Sequence, residues 1–384
     1  MGALEELQGF YRQRDTAARA WKAQGGKVLG YVSSSMPEEL AAAAGFLPYR
    51  LSGDPQAGFD TLGRYYYPLA DKSLPGSRVM SLEFVNAIMQ AVFSGRYDFL
   101  DYLVIPYARK AVLALYTHFS VARAAYPELK IPELYLLDRT ITPFYAGGLY
   151  NRGRILDFKA WLEASGGHPV TDGLLAAAIA EGNETRRLLS EISALRAQGR
   201  ILGAEALAVF GASRFMPKAT FNPLAERAVG EAGARTTRTG PRLFVSGSPL
   251  DNTDLYALIE DCGATVVGES HDWGAPMADL PLNTAAPPLE AIAERFHKSP
   301  PDLIFPLDAA VADVVGRAKA CGAEGVVFHV YRHDDHELFD VPAKRAALEA
   351  AGIPTLYLQE QPYRIEDPAP VRAAVTQFLA DLRS

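Results

Sequence analysis

Three of the seven histidines, His329, His333 and His336, fall within eight residues of one another in the stretch GVVFHVYRHDDHE (325–337), with Asp334 and Asp335 between them. Imidazole and carboxylate are ligand types for zinc or iron, which makes His333, Asp334 and His336 one candidate metal set. Their spacing would align them on a helix, yet they follow a strand-like apolar run and read as a strand-end loop. The other reading is a polar pocket facing a partner or a ligand, with His329 ending a buried strand as a core histidine. The sequence favours this second reading, and no metal is expected on the chain. A second group is Ser33, Ser34 and Ser35, followed by Pro37, Glu38 and Glu39. The hydroxyls could hydrogen-bond a substrate carbonyl, or they are ordinary N-cap residues. The glutamates are acid–base candidates, or simply first-turn partners of the helix dipole. No His–Asp pattern marks any serine as a nucleophile.

Several chemistries lack their signature. There is no GxxxxGK[ST] phosphate loop, and no GxGxxG follows a strand. Gly247–Leu250 (GSPL) could offer backbone N–H groups to a phosphate, but Pro249 removes one donor. Tyr65–Pro68 (YYYP) could line an aromatic pocket or pack on a sheet, and Arg186 and Arg196 read as surface or salt-bridge residues. A net charge of −7 argues against coating nucleic acid, which requires a basic face. No run approaches the roughly 20 apolar residues of a membrane span. The amphipathic N-terminus lacks the apolar core of a signal peptide, so the chain reads as cytoplasmic. Two cysteines, Cys262 and Cys321, make no disulfide framework.

The elements that must position these residues alternate. Strands are expected at 27–32, 103–106 and 133–137, and again at 242–247, 264–267, 325–329 and 353–358, with helices between them. Pro37 and the acids after it start one helix. Strands separated by helices imply parallel sheets. The predicted fold is α/β, two doubly wound, flavodoxin-like parallel-sheet domains with an additional helical region. The expected boundaries are an N-terminal α/β domain over 1–153, a helical segment over 154–230, a glycine-rich linker over 231–240 and a C-terminal α/β domain over 241–384. Ligands of such sheets bind beyond the C-terminal strand ends, where 33–35, 106–110 and 331–336 fall.

Several segments together resemble one family. They are GYVSSSMPEEL (30–40) with AAAAGFLP (41–48), DYLVIP (101–106), GHPVTDGLL (167–175) with AIAEGNETR (178–186), RLFVSGSP (242–249), IEDCGATVV (259–267) and AAGIPTLY (350–357). Their order and content resemble the subunits of 2-hydroxyacyl-CoA dehydratases and ATP-dependent benzoyl-CoA reductases, over most of the chain. The Phe328–Arg332 segment and the compact length look most like the smaller, companion subunit of a benzoyl-CoA reductase.

That resemblance implies a subunit of a low-potential enzyme acting on an acyl-CoA thioester, in a heterodimer with a homologous subunit. It implies that ATP is used by a separate electron-donating subunit. It also implies a 4Fe–4S cluster held by three cysteines per subunit. Here those places carry Ser33, Arg109 and His333 or Asp334, and neither cysteine matches them. A serine hydroxyl is a poor thiolate substitute and an arginine repels the metal. The expectation is therefore that this chain holds no cluster, that the partner carries it, and that Ser33, Ser34, Ser35, Arg109, His329, His333 and Asp334 line a substrate pocket or a former cluster pocket. The rival expectations are a dehydratase subunit or a cluster-free, non-catalytic acyl-CoA-binding paralogue.

Overall fold

The computed structural model describes residues 2–53, 83–107, 110–298 and 306–383. Two helices, α1 (Ala3–Arg12) and α2 (Thr16–Ala23), precede the first sheet. The sheet is built from β1 (Lys27–Tyr31), β2 (Phe46–Arg50), β3 (Tyr102–Pro106) and β4 (Glu133–Leu137). Its connecting helices are α3 (Glu38–Ala43), α4 (Glu83–Phe93) and α5 (Lys110–Ala125). Four helices follow: α6 (Tyr145–Ala164), α7 (Asp172–Ala197), α8 (Gly203–Ala212) and α9 (Lys218–Gly233). The second sheet contains β5 (Arg242–Gly247), β6 (Thr265–Glu269), β7 (Gly325–Tyr331) and β8 (Thr355–Gln361). With it come α10 (Asp254–Asp261), α11 (Pro288–Lys298), α12 (Leu307–Ala320), α13 (Asp335–Ala350) and α14 (Pro368–Asp381).

All strand pairs are parallel, and the orders are β2-β1-β3-β4 and β6-β5-β7-β8. The two sheets therefore share one topology, the 2-1-3-4 arrangement that begins a flavodoxin-like sheet. This bears out the doubly wound α/β expectation. Each central strand reads as a continuous apolar run because helices cover both faces; β7 is buried along its whole length. One apolar core runs from Val28 and Ile105 through Ile192 and Phe210 to Val245 and Val327, so the sheets are joined by shared packing.

Some elements differ from those expected. β2 was not among the expected strands: Pro48 sits inside it, and proline is admitted there because β2 is the edge of its sheet. The boundary expected after residue 153 falls inside α6, and α9 runs on through Gly233 into the expected linker. A Cβ at Gly230 or Gly233 would meet nothing within 4 Å, while Ala228 and Ala232 are fully buried, so packing on one face carries the helix past its glycines. Among the described residues no helix is long and apolar enough to cross a membrane.

The long helix α7 carries two buried arginines, one towards each sheet. Arg196 forms a fully buried, two-pronged pair with Glu269 at the end of β6; its second bond, Nη2 to Oε1, is 2.9 Å. Removing one partner of such a pair strands the other charge in a low-dielectric interior. Arg196→Ala is expected to lower the unfolding free energy by about 3–5 kcal/mol. Urea titration reads this as a reduced midpoint, and an unchanged midpoint would show that α7 is not fastened there.

Candidate functional site: a charged cavity between the two sheet ends

The C-terminal ends of the two sheets enclose a cavity of about 820 Å³. Tyr31 and Arg50 enter from the ends of β1 and β2, Ser34 from the turn after β1, and Glu38 and Glu39 from α3. Ser270 and Asp272 come from beyond β6, Arg295 from α11 and Arg317 from α12. The loop after β1 is short and tightly turned: Ser33 adopts φ 71°, and its Oγ accepts the Ser35 N–H at 3.3 Å. Ser33 and Ser35 therefore bond each other, and the N-cap of α3 is Pro37, not a serine.

Glu38 and Glu39 are buried ion-pair members, which the dipole reading did not anticipate. Glu38 accepts from Arg214 at 2.7 Å, from Lys218 at 3.0 Å and from the Tyr31 hydroxyl. Burial alone would raise its carboxyl; Arg214 and Lys218 outweigh that and hold it far below the usual carboxylate range. Glu39 pairs with Arg186 of α7, and the same contest leaves its carboxyl lowered. Burial, reinforced by the Glu38 charge, pushes the Tyr31 phenol well above its ordinary value. Both glutamates are thus held ionised, which suits them to orient cations and unsuits them as general acids.

The 178–186 segment acquires a physical meaning here. A Cβ on Gly182 would lie 2.7 Å from Glu39 Oε1, so a glycine is what lets Glu39 reach α7. Asn183 clamps the segment after β6 through both sides of its amide, accepting the Leu282 N–H at 2.9 Å and donating to the Leu282 carbonyl at 2.8 Å. Thr185 donates to Asn222 of α9 at 2.7 Å. On the far wall Arg50 donates to the Asp272 backbone carbonyl at 2.8 Å and lies 4.0 Å above the Trp273 ring.

The His-rich stretch does not converge on this cavity. His329 is buried inside β7, which extends two residues beyond the expected strand. His333 follows the strand in a left-handed conformation, φ 63°, and is exposed. Asp334 is buried as the N-cap of α13; it accepts the Ser248 hydroxyl at 2.6 Å, and the Ser248 Oγ in turn accepts the Tyr331 N–H at 2.9 Å. His336 lies in the first turn of that helix, near Glu337 and Asp340 at 3.9 Å and 3.8 Å. Among the described residues no three His, Cys, Asp or Glu side chains come together as a ligand set. Of the serine candidates, Ser34 lines the cavity, and Ser35 joins it in a narrow crevice towards Arg139. Arg109 and Tyr65–Pro68 lie outside the described residues. Cys262 and Cys321 cap α10 and α12, at the start of β6 and β7, the opposite end of the sheet from these loops. The side chains at the described positions where the resemblance places thiolates, a serine hydroxyl and a His–Asp pair, do not fit a three-thiolate cluster.

A family model for "2-hydroxyglutaryl-CoA dehydratase, D-component" matches residues 33–380. The chain belongs to this family. It is 24% identical to the beta subunit of (R)-2-hydroxyglutaryl-CoA dehydratase from Acidaminococcus fermentans, over 91% of each chain. It is 22% identical to the beta subunit of (R)-phenyllactyl-CoA dehydratase from Clostridium sporogenes, over 92% of this chain and 91% of that one. It is 23% identical to a benzoyl-CoA reductase subunit from Thauera aromatica, over 88% of this chain and 87% of that one. The family resemblance read from the sequence is thereby shown, and the family's named members are subunits of dehydratase and reductase enzymes.

Within this family member, sequence reasoning overlooked Arg50, Arg214, Arg295 and Arg317. The one signal available was a charged residue interrupting an apolar run, as Arg214 does between Ser213 and Phe215, both buried.

Behind the cavity, His271 and His329 share the end of the second sheet. The His271 Nδ1 accepts the Trp273 N–H at 3.3 Å, and its Nε2 lies 2.8 Å from the Tyr256 hydroxyl, which donates to Glu269 at 3.0 Å. That arrangement assigns the proton to Nε2 of a neutral ring. Burial pushes His271 down to about 4, and burial together with His271 pushes His329 down to about 3. In the unfolded chain both take up a proton near pH 6.5, so below that pH the unfolded state binds more protons. Stability should be full above about pH 6.5 and fall as pH is lowered through 6 and 5, by up to about 1.4 kcal/mol per pH unit for each histidine. Chemical denaturation across that range checks this; His329→Gln should reduce the slope, and a flat profile would refute neutral burial.

Proposed function

We propose that the chain is the cluster-free companion subunit of an ATP-dependent reductase complex of the benzoyl-CoA reductase type, acting on an aromatic acyl-CoA. Its partner is a homologous subunit that holds the 4Fe–4S cluster, and a separate ATPase supplies low-potential electrons. The observation that carries this reading is the donor set in a chain of this family. Ser33 and the His333–Asp334 pair stand at described strand-end positions where the resemblance places thiolates, and both cysteines cap helices at the other end of the second sheet.

In this reading no step of the reduction is assigned to residues of this chain. Its part is to close the site, exclude water and present a fixed polar wall, since a dry cavity strengthens electrostatics and limits leakage of reactive species. Ser34 and Ser35 line the cavity and its crevice, while Ser33 and the His333–Asp334 pair are read as replacements for lost thiolates; Arg109, outside the described residues, stands in the sequence where the resemblance places another.

A dehydratase subunit is the second reading. It is favoured by the fact that two of the relatives above are dehydratase beta subunits, at 24% and 22% identity, beside 23% for the reductase subunit.

The test is iron and acid-labile sulfide, measured after anoxic purification of the chain alone and together with its co-expressed partner. Expected are no iron on the isolated chain and cluster iron on the complex. Iron and sulfide on the isolated chain would overturn the cluster-free assignment. Iron in neither preparation would overturn the reductase reading in favour of a non-catalytic acyl-CoA binder. With the complex and its ATPase in hand, loss of water from a 2-hydroxyacyl-CoA, in place of ring reduction, would select the dehydratase.

A further inference from the structure

The charges lining the cavity do not cancel in pairs. Five carboxylates line it, those of Glu38, Glu39, Asp272, Asp279 and Asp313, and so do five arginines. Each carboxylate has a cation: Glu38 has Arg214 and Lys218, Glu39 has Arg186, Asp272 has Arg50, and Asp279 and Asp313 share Arg317. Arg295 is left over. Its Nε donates to the Leu280 carbonyl at 2.8 Å, and its two terminal nitrogens have no acceptor among the described residues. Leu280 holds that carbonyl in place from a left-handed conformation, φ 53°, which a leucine adopts only when its surroundings impose it.

Arg295 is half-buried at the cavity wall. Burial, and next the nearby Arg186 guanidinium, push it down to about 10, with Arg214 adding to the effect and the already paired Glu39 only partly opposing it. Among the described residues no carboxylate hydrogen-bonds this half-buried guanidinium, which would gain from an added anion.

The ligand's charge can be bounded. With Lys218 behind Glu38, six cations stand against five carboxylates, an excess of one positive charge, so a single negative charge meets balance whereas a group bearing several leaves a net negative charge in a confined space. Coenzyme A, with its diphosphate and additional phosphate, belongs to the second kind. Beside Tyr31, Ser34 and Ser270, the uncharged lining is apolar: Met36, Pro276, Met277, Leu280, Ala309 and Ala312 leave a surface suited to a hydrocarbon body. A cavity of about 820 Å³ is of small-molecule size.

We infer that the cavity binds a small monocarboxylate with an apolar body, its carboxylate on Arg295 and its hydrocarbon part against Met36, Met277 and Ala312. The site is separate from whatever holds the CoA nucleotide of a thioester, so a free acid would act here as product or effector. The assignment stands whether the complex proves to be a reductase or a dehydratase.

Isothermal calorimetry on the full chain tests it, with 4-phenylbutyrate as the probe, 4-phenylbutanamide as its uncharged counterpart, and inorganic phosphate and coenzyme A as the competing anions. Expected are saturable binding of the acid, little binding of the amide, and a loss of roughly tenfold or more in affinity for Arg295→Gln, the scale of one charge-assisted hydrogen-bond pair. Arg295→Lys should recover part of it. Ala312→Phe, at an exposed position on the cavity lip, should weaken binding of the acid while leaving the thermal midpoint unchanged. If Arg295→Gln does not fold, the acid–amide comparison and Ala312→Phe still decide the matter. Equal binding of acid and amide, Arg295-dependent binding of phosphate or coenzyme A in preference to the acid, or no binding at all would each overturn the assignment.

Discussion

The helix Asp172–Ala197 holds one buried guanidinium for each sheet, Arg186 for Glu39 and Arg196 for Glu269. Ten residues separate the two arginines, a rise of roughly 15 Å along the helix. The spacing between the facing sheet ends is therefore set by a rigid rod with one ion pair at its middle and another near its C-terminal end. Hydrophobic packing is non-directional and would tolerate sliding; a two-pronged guanidinium–carboxylate pair would not. The cavity owes its walls to this constraint, because Glu39, Arg186 and the Asn183-clamped segment at Leu282 are all placed by the same helix.

A second fastening works beside the first. Asp251, almost fully buried in the turn after β5, accepts the Gly53 N–H and the Tyr363 hydroxyl, each at 2.7 Å, while its backbone carbonyl accepts the Tyr11 hydroxyl at 2.6 Å and also Arg14. One residue thus draws together the N-terminal helix, the segment after β2 and the turn after β8. The donors come from three chain segments far apart in sequence, and they replace the solvation that the aspartate lost on folding. The carboxylates that line the cavity are likewise committed to cations, and among the described residues Arg295 stands out against them.

Much of the architecture was legible from local pattern. Seven of the strands, the parallel arrangement and the repetition of one topology follow from short apolar runs alternating with helical periodicity, because a strand covered on both faces has no polar side to disguise it. The exception, Phe46–Arg50, carries a proline whose tolerance depends on lying at a sheet edge, a fact of pairing and not of composition. The end of Lys218–Gly233 was obscured in the same way: glycines suggest a break, but buried Ala228 and Ala232 hold the helix together.

The sequence by itself determined the family, through the order of its short motifs, and the α/β class, through periodicity. It also determined which donor atoms stand at the ends of the strands. Only the tertiary structure decided what those atoms do. It turned Asp334 into a helix cap, buried His329, and separated both from the cavity that Ser34 enters. It revealed Glu38 and Glu39 as bound carboxylates and, among the described residues, left Arg295 without a hydrogen-bonded one. The reason is that strand and helix periods are local and recur every few residues, whereas the partner of a buried charge is fixed by contacts between residues far apart along the chain, such as Glu39 and Arg186 at a separation of 147.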